Sequence, residues 1–92
     1  MKYTKCLNDY CFFTSLDKQY CEIHHCFGGS NRKKSESYGL KVYLSPDYHR
    51  HMPNGVHVNR DNDLIIKQFA QKCFEKDYSH ELFMDKFGRN YL

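Results

Sequence analysis

One long helix sets the task for the rest of this chain. Within DLIIKQFAQKCFEKD, residues 63–77, Ile65, Ile66, Phe69, Ala70, Cys73 and Phe74 recur at helical spacing and form an apolar stripe. Asn59 to Asp63 offer capping residues just before it. The stripe needs partners, and Leu40, Val42, Leu44, Phe83 and Phe87 supply them, each large side chain contributing ~1.5–3 kcal/mol on burial before entropy is counted. With 92 residues the chain is expected to form one domain, since a second independent core would leave each too small. Hydrophobic residues at 40% and aromatics at 16% exceed what a disordered chain carries, and seven Phe and eight Tyr anchor a core without Trp. A domain this small is only marginally stable, and a bound metal would help it.

Fourteen Lys plus Arg against eleven Asp plus Glu give a net charge of +3, which suits a polyanionic partner without demanding one. No apolar run approaches the roughly 18 residues of a membrane span, and the opening MKYTKCLND lacks the hydrophobic stretch of a secretory signal. The expectation is a soluble, intracellular protein with no membrane partner.

Residues 1–18 have no strong period, with turns at Asn8-Asp9 and Ser15 to Lys18, and read as an irregular knuckle or hairpin. The run QYCEIHH, residues 19–25, is rich in strand formers, with Tyr20, Cys21 and Ile23 expected near the core, and it stops at Gly28-Gly29. Residues 27–37, FGGSNRKKSES, are polar and basic and predict a loop with room for one helical turn. Leu40, Val42 and Leu44 then alternate with Lys41 and Tyr43, predicting a second strand and a hairpin with a long cationic connection. Ser45-Pro46-Asp47 starts a short helix that Pro53-Asn54-Gly55 ends within two turns. Residues 58–92 carry the C-terminal helices. The last, HELFMDKF, is capped by Ser79 and closed by Gly88.

Five cysteines are an odd number, and a reducing interior disfavours a disulfide framework, so metal binding or plain burial remain. Cys73, in the helical stripe, belongs to the core. The stronger chemical signal is histidine: five of six fall between residues 24 and 57, as His24, His25, His49, His51 and His57. Adjacent His24 and His25 would point to opposite strand faces, unless a bulge or the strand-end turn brings both to one side. One then binds a metal while its neighbour takes a proton from water. His49 and His57 flank the short segment after strand two, and imidazoles from two elements suit a divalent transition metal with open positions. The bland alternative is a set of solvated surface histidines. His51, two residues beyond His49, is expected to point elsewhere, and His80, after the capping Ser79, to be exposed.

The order HHCFGGSNRKKSESYGL, a short strand, His49, the triplet GVH at 55–57, a long helix and a terminal FMDKFGRNYL resembles phage-borne HNH-like nucleases of the ββα-metal class, related to the recombination-enhancement nucleases. The likeness runs from about residue 11 to 92. It implies an α+β fold with a ββα-metal core over 19–57 and a metal-dependent endonuclease acting on DNA in phage or prophage recombination, in the cytoplasm of a bacterial host. It further implies His25 as general base, His24 and His49 as ligands, the latter at the start of the short helix, and His57 as third ligand or close neighbour of the scissile phosphate. One divalent ion, Mg, Mn, Ni or Zn, is the implied cofactor, with DNA and a recombination protein as partners. Arg32, Lys33 and Lys34 would pair with flanking phosphates. Glu36 would orient a histidine by accepting from its second ring nitrogen, or else pair with Lys33 or Lys34 at the surface.

The chain departs from the wider pattern at two places. The central Asn of HNH motifs corresponds here to Gly39. Where relatives carry a structural zinc, this chain has Thr14 in place of a second cysteine after Cys11, and Ser45 and Tyr48 in place of the other pair. No structural zinc is therefore expected, and a rebuilt site from Cys6, Cys11, Cys21 and Cys26 is the alternative. Two other functions stay open: a non-cleaving nucleic-acid-binding module on the same fold, and a zinc-knuckle interaction protein built on those cysteines.

Overall fold

The computed structural model describes residues 9–92. Two four-residue strands, β1 (Glu22–His25) and β2 (Lys41–Leu44), pair antiparallel in the register Glu22↔Leu44, Ile23↔Tyr43, His24↔Val42 and His25↔Lys41. Helices α1 (Arg32–Ser37), α2 (Pro46–His49), α3 (Arg60–Asp77) and α4 (His80–Phe87) complete a mixed α+β arrangement. Among the described residues, no helix is long and apolar enough to cross a membrane.

The helical half follows the expected pattern closely. Asn59 caps α3 by accepting from the Asn62 N–H, and Ser79 caps α4 by accepting from Leu82. Gly88 ends α4 at φ +75°, a left-handed conformation that glycine adopts without steric cost. Ile66, Ala70, Cys73 and Phe74 are buried, and so are Leu40, Val42, Leu44, Phe83 and Phe87. Phe74 lies within 5.0 Å of Tyr38, 5.5 Å of Phe83 and 5.8 Å of Phe87 between ring centroids, at angles typical of favourable aromatic pairs. Ile65, by contrast, is exposed, and Gln71 takes a fully buried place. The C-terminal tail explains it: the Gln71 side chain donates to Asn90 and Glu75 and accepts from the Tyr91 N–H, which satisfies the buried amide.

The first strand departs from expectation. Residues 18–20 form a 3-10 turn, Tyr20 and Ile23 are exposed, and the buried position of β1 is His24. Strand alternation thus gives the interior to a histidine where hydrophobicity would have put Ile23. The connection between the strands is also more ordered than a loop, because α1 follows a 3-10 turn at Gly29–Asn31. Its one buried residue is Ser35, whose hydroxyl donates to the Leu40 carbonyl at 2.6 Å and accepts from the Phe27 N–H at 3.3 Å. A satisfied serine can face the core, so the helical turn that the sequence left room for forms without an apolar stripe. Of the expected N-terminal knuckle, residues 9–18 fold back on themselves through a Tyr10–Asp17 bridge and a bond from Cys11 N to Leu16 O. Residues 1–8 lie outside the described part.

Candidate metal centre

His24 projects from the middle of β1 into an open cleft of about 510 Å³, whose walls include the end of β1, the 28–32 turn, His49, Arg50, His57 and the first turns of α3. Glu22, two residues before His24, emerges on the same strand face and reaches α2. There it accepts a hydrogen bond from Nδ1 of His49, which closes α2 rather than opening it. Ser45 caps that short helix by accepting from the Tyr48 N–H, and Pro46 takes its first position, so a fold-back immediately after β2 returns His49 to the strand.

His57 arrives by a close backbone approach. Gly55 donates to the His51 carbonyl, Val56 to Tyr48 and His57 to His49. A side chain at 55 would meet backbone atoms of Arg50 and His51 at 2.6–2.8 Å, so only glycine fits. The result is a trio whose ligand atoms, one each from His24, His49 and His57, lie within 4.8 Å of one another. Nε2 of His57 stands 3.0 Å from Nε2 of His49, and the ring centroids of His24 lie 5.1 and 5.2 Å from those of His49 and His57.

The electrostatics of this trio suit a cation. Nε2 of His24 is buried without a hydrogen-bond partner, a state costly for a polar atom unless something fills the gap. Burial, with smaller contributions from the neighbouring His49 and His57, pushes the His24 pKa down to about 3, so the ring offers a lone pair at neutral pH. His57 is shifted the same way by burial and by His49. The bond from His49 holds Glu22 below the ordinary carboxylate range. Because that ionised carboxylate only accepts, the proton sits on Nδ1 of His49 and Nε2 faces the trio, the usual arrangement of a carboxylate-steered metal ligand. Three imidazoles with one orphaned nitrogen among them fit a divalent transition metal.

His25 lines the same cleft but stands outside the trio. The pairing of β1 with β2 runs unbroken through His25, so of the two expected devices it is the strand end and not a bulge that lets the neighbours share the cleft. Nε2 of His25 bonds Glu36 at 2.8 Å, and Arg32 Nε reaches its Nδ1 at 3.5 Å. The three basic residues of α1 separate. Arg32 lines the cleft, Lys33 lines a smaller adjoining pocket with His25 and Glu36, and Lys34 turns away to donate to the Lys86 carbonyl at 2.6 Å. Glu36 pairs with Lys41 at 3.1 Å instead of Lys33 or Lys34. His51 pairs with Asp47 and His80 with Glu75, both away from the trio.

Three residues that matter here escaped the sequence reading. Glu22 was visible in principle, since a two-residue period from His24 places it on the same face. Asp63 and Lys67, an ion pair at 2.8 Å on the opposite wall, carry no sequence signal linking them to the histidines.

The described cysteines disperse. Cys26 and Cys73 are buried in the core, and burial pushes the Cys26 thiol well above its ordinary range. Cys21 leans on the carbonyls of Leu16 and Asp17. Cys11 is fully buried and accepts from the Ser45 N–H at 3.3 Å. Burial raises its pKa, but hydrogen bonds from Thr14, Ser45 and Phe13 outweigh that and leave it lowered. Cys11, Cys21 and Cys26 do not form a group that could hold a metal, and Cys6 lies outside the described residues. No protein-family model, curated protein or solved structure matches this chain.

Proposed function

We propose that this chain is a metal-dependent DNA endonuclease of the ββα-metal class, with β1, β2 and the segment from α2 to His57 as its core. The observation that carries the reading is the division of labour along β1: His24 joins His49 and His57 in a metal-sized cluster, while His25 stays outside it on the same cleft. Bound there, a divalent ion supplies Lewis acidity toward a phosphate oxygen and offsets charge on the leaving oxygen. His24, His49 and His57 hold it, and Glu22 keeps His49 in the ligating tautomer. His25, not consumed by coordination, accepts the proton of the attacking water. Arg32 pairs with a phosphate oxygen through its planar fork, with Lys33 on a flanking phosphate. Arg50 and Lys67 also stand at the cleft walls, each beside a carboxylate, Glu22 and Asp63. The phage or prophage recombination setting and a recombination partner remain with the family resemblance.

Supercoiled plasmid incubated with Mg²⁺, Mn²⁺, Ni²⁺ or Zn²⁺ tests the reading. The wild type is expected to nick it with at least one of these ions. His25→Ala is expected to abolish cleavage and leave divalent-ion affinity nearly intact, because the coordinating side chains are untouched. Equal loss of cleavage and metal affinity in that variant would remove His25 from the role of base. Intact plasmid with every ion would leave a nucleic-acid-binding module instead.

A further inference from the structure

We infer that Glu36, braced by Lys41, is a positioning residue that fixes His25 in the Nε2–H tautomer with its bare Nδ1 turned to the cleft. The inference rests on the proposed role of His25 as base, and it names the nitrogen that does the work. The two partners of the ring settle the proton's place between them. A carboxylate accepts only, so Glu36, at 2.8 Å, takes the Nε2–H. An arginine Nε–H donates only, so Arg32, at 3.5 Å, faces a lone pair on Nδ1. Either partner alone selects the same tautomer.

The brace comes from the sheet. Lys41 is the cross-strand partner of His25, and its ammonium binds the second carboxylate oxygen of Glu36 at 3.1 Å while the first holds the imidazole. Glu36 thus spans the His25–Lys41 pair with one oxygen for each, and the rotamers of all three side chains are fixed together. An unbraced surface carboxylate would lose much of that alignment to side-chain entropy. The His25 and Lys41 bonds also hold Glu36 below the ordinary carboxylate range, so it stays an acceptor at neutral pH. Arg32 occupies Nδ1 only loosely, and a phosphate that draws its guanidinium away leaves that nitrogen to water.

Long-range ¹H–¹⁵N spectra of the full, metal-free chain labelled at histidine test this directly at about pH 8, where histidine is ordinarily neutral. His25 signals are assigned by their loss in His25→Asn. The wild type is expected to carry its proton on Nε2. Glu36→Ala should move the ring to a mixture of tautomers, and Glu36→Gln, whose amide oxygen still accepts, should restore it. On plasmid, Glu36→Ala should lower kcat about ten-fold with KM changed less than about two-fold, the scale of losing an orienting partner of histidine. A wild-type proton on Nδ1, or an unchanged tautomer in Glu36→Ala, would overturn the assignment. Absence of cleavage by the wild type would count against the nuclease reading alone, since the spectra decide the role of Glu36 without substrate.

Discussion

His24, His49 and His57 converge on one point while Cys11, Cys21 and Cys26 are spread among hydrogen bonds and core contacts. Both are good metal-binding residue types, so the difference lies in what surrounds them. Each histidine is delivered by its own device: strand alternation for His24, the carboxylate of Glu22 for His49, and the Gly55 approach for His57. The cysteines have found other partners. The sulfur of Cys11 accepts from Ser45, and Cys26 packs against apolar neighbours. An unpartnered nitrogen marks the first region, and satisfied or desolvated thiols mark the second. Ligand type alone therefore says little; an unmet valence in a fixed frame says more.

The sharpest way to break this comparison is to ask what holds the fold. A cysteine-held zinc domain would unfold when stripped of metal, because binding energy on the order of 10 kcal/mol is then also folding energy. Here the aromatic core around Phe74 should suffice. Phe74→Ala is expected to cost about 3–5 kcal/mol in urea denaturation. Excess chelator should leave far-UV circular dichroism unchanged and lower Tm only by the loss of ligand linkage. Unfolding in chelator would put a structural metal back among the cysteines.

Next in size is acid sensitivity. The folded His24 pKa is lowered to about 3, so between the ordinary histidine value of ~6.5 and that point the unfolded chain binds a proton that the folded chain refuses. Stability of the metal-free protein should therefore fall as pH drops from about 6.5 toward 3, by on the order of a few kcal/mol. His57, also lowered, adds in the same direction. Glu22, lowered by His49, adds further loss once pH falls through the carboxylate range. His24→Leu should flatten the upper part of that slope in pH-dependent urea melts. A slope unchanged in His24→Leu would place the orphaned nitrogen elsewhere.

The smallest effect belongs to Cys21, which is partly exposed and donates to the carbonyl oxygens of Leu16 and Asp17. Cys21→Ser keeps a donor there and should shift stability by no more than about 0.5 kcal/mol, without altering metal affinity. A ten-fold loss of metal affinity in Cys21→Ser would enlist the thiol.

How legible all this was in the sequence depended on range. Helices α3 and α4 could be read because spacing, caps and the terminal Gly88 are local signals, and β2 because Leu40, Val42 and Leu44 alternate. The inner face of β1 could not, since His24 occupies a place that hydropathy assigns to Ile23. Helix α1 was legible only as room for one helical turn because its buried residue is Ser35, and the buried place of Gln71 carried no signal because its tail partners Asn90 and Tyr91 lie about 20 positions downstream. The same rule governed the cleft. The clustered histidines were visible, but the separate paths of Arg32 and Lys34, and the Asp63–Lys67 wall, depend on contacts between distant parts of the chain.

Cobalt titration of the metal-free protein tests the histidine centre most directly, because the visible spectrum of Co²⁺ reports both stoichiometry and the kind of ligand. One equivalent of Co²⁺ should bind with d–d bands and without thiolate-to-cobalt charge transfer, and His24→Ala should abolish the signal. Failure of the wild type to bind Co²⁺, or an intense thiolate band that survives His24→Ala, would contradict the account.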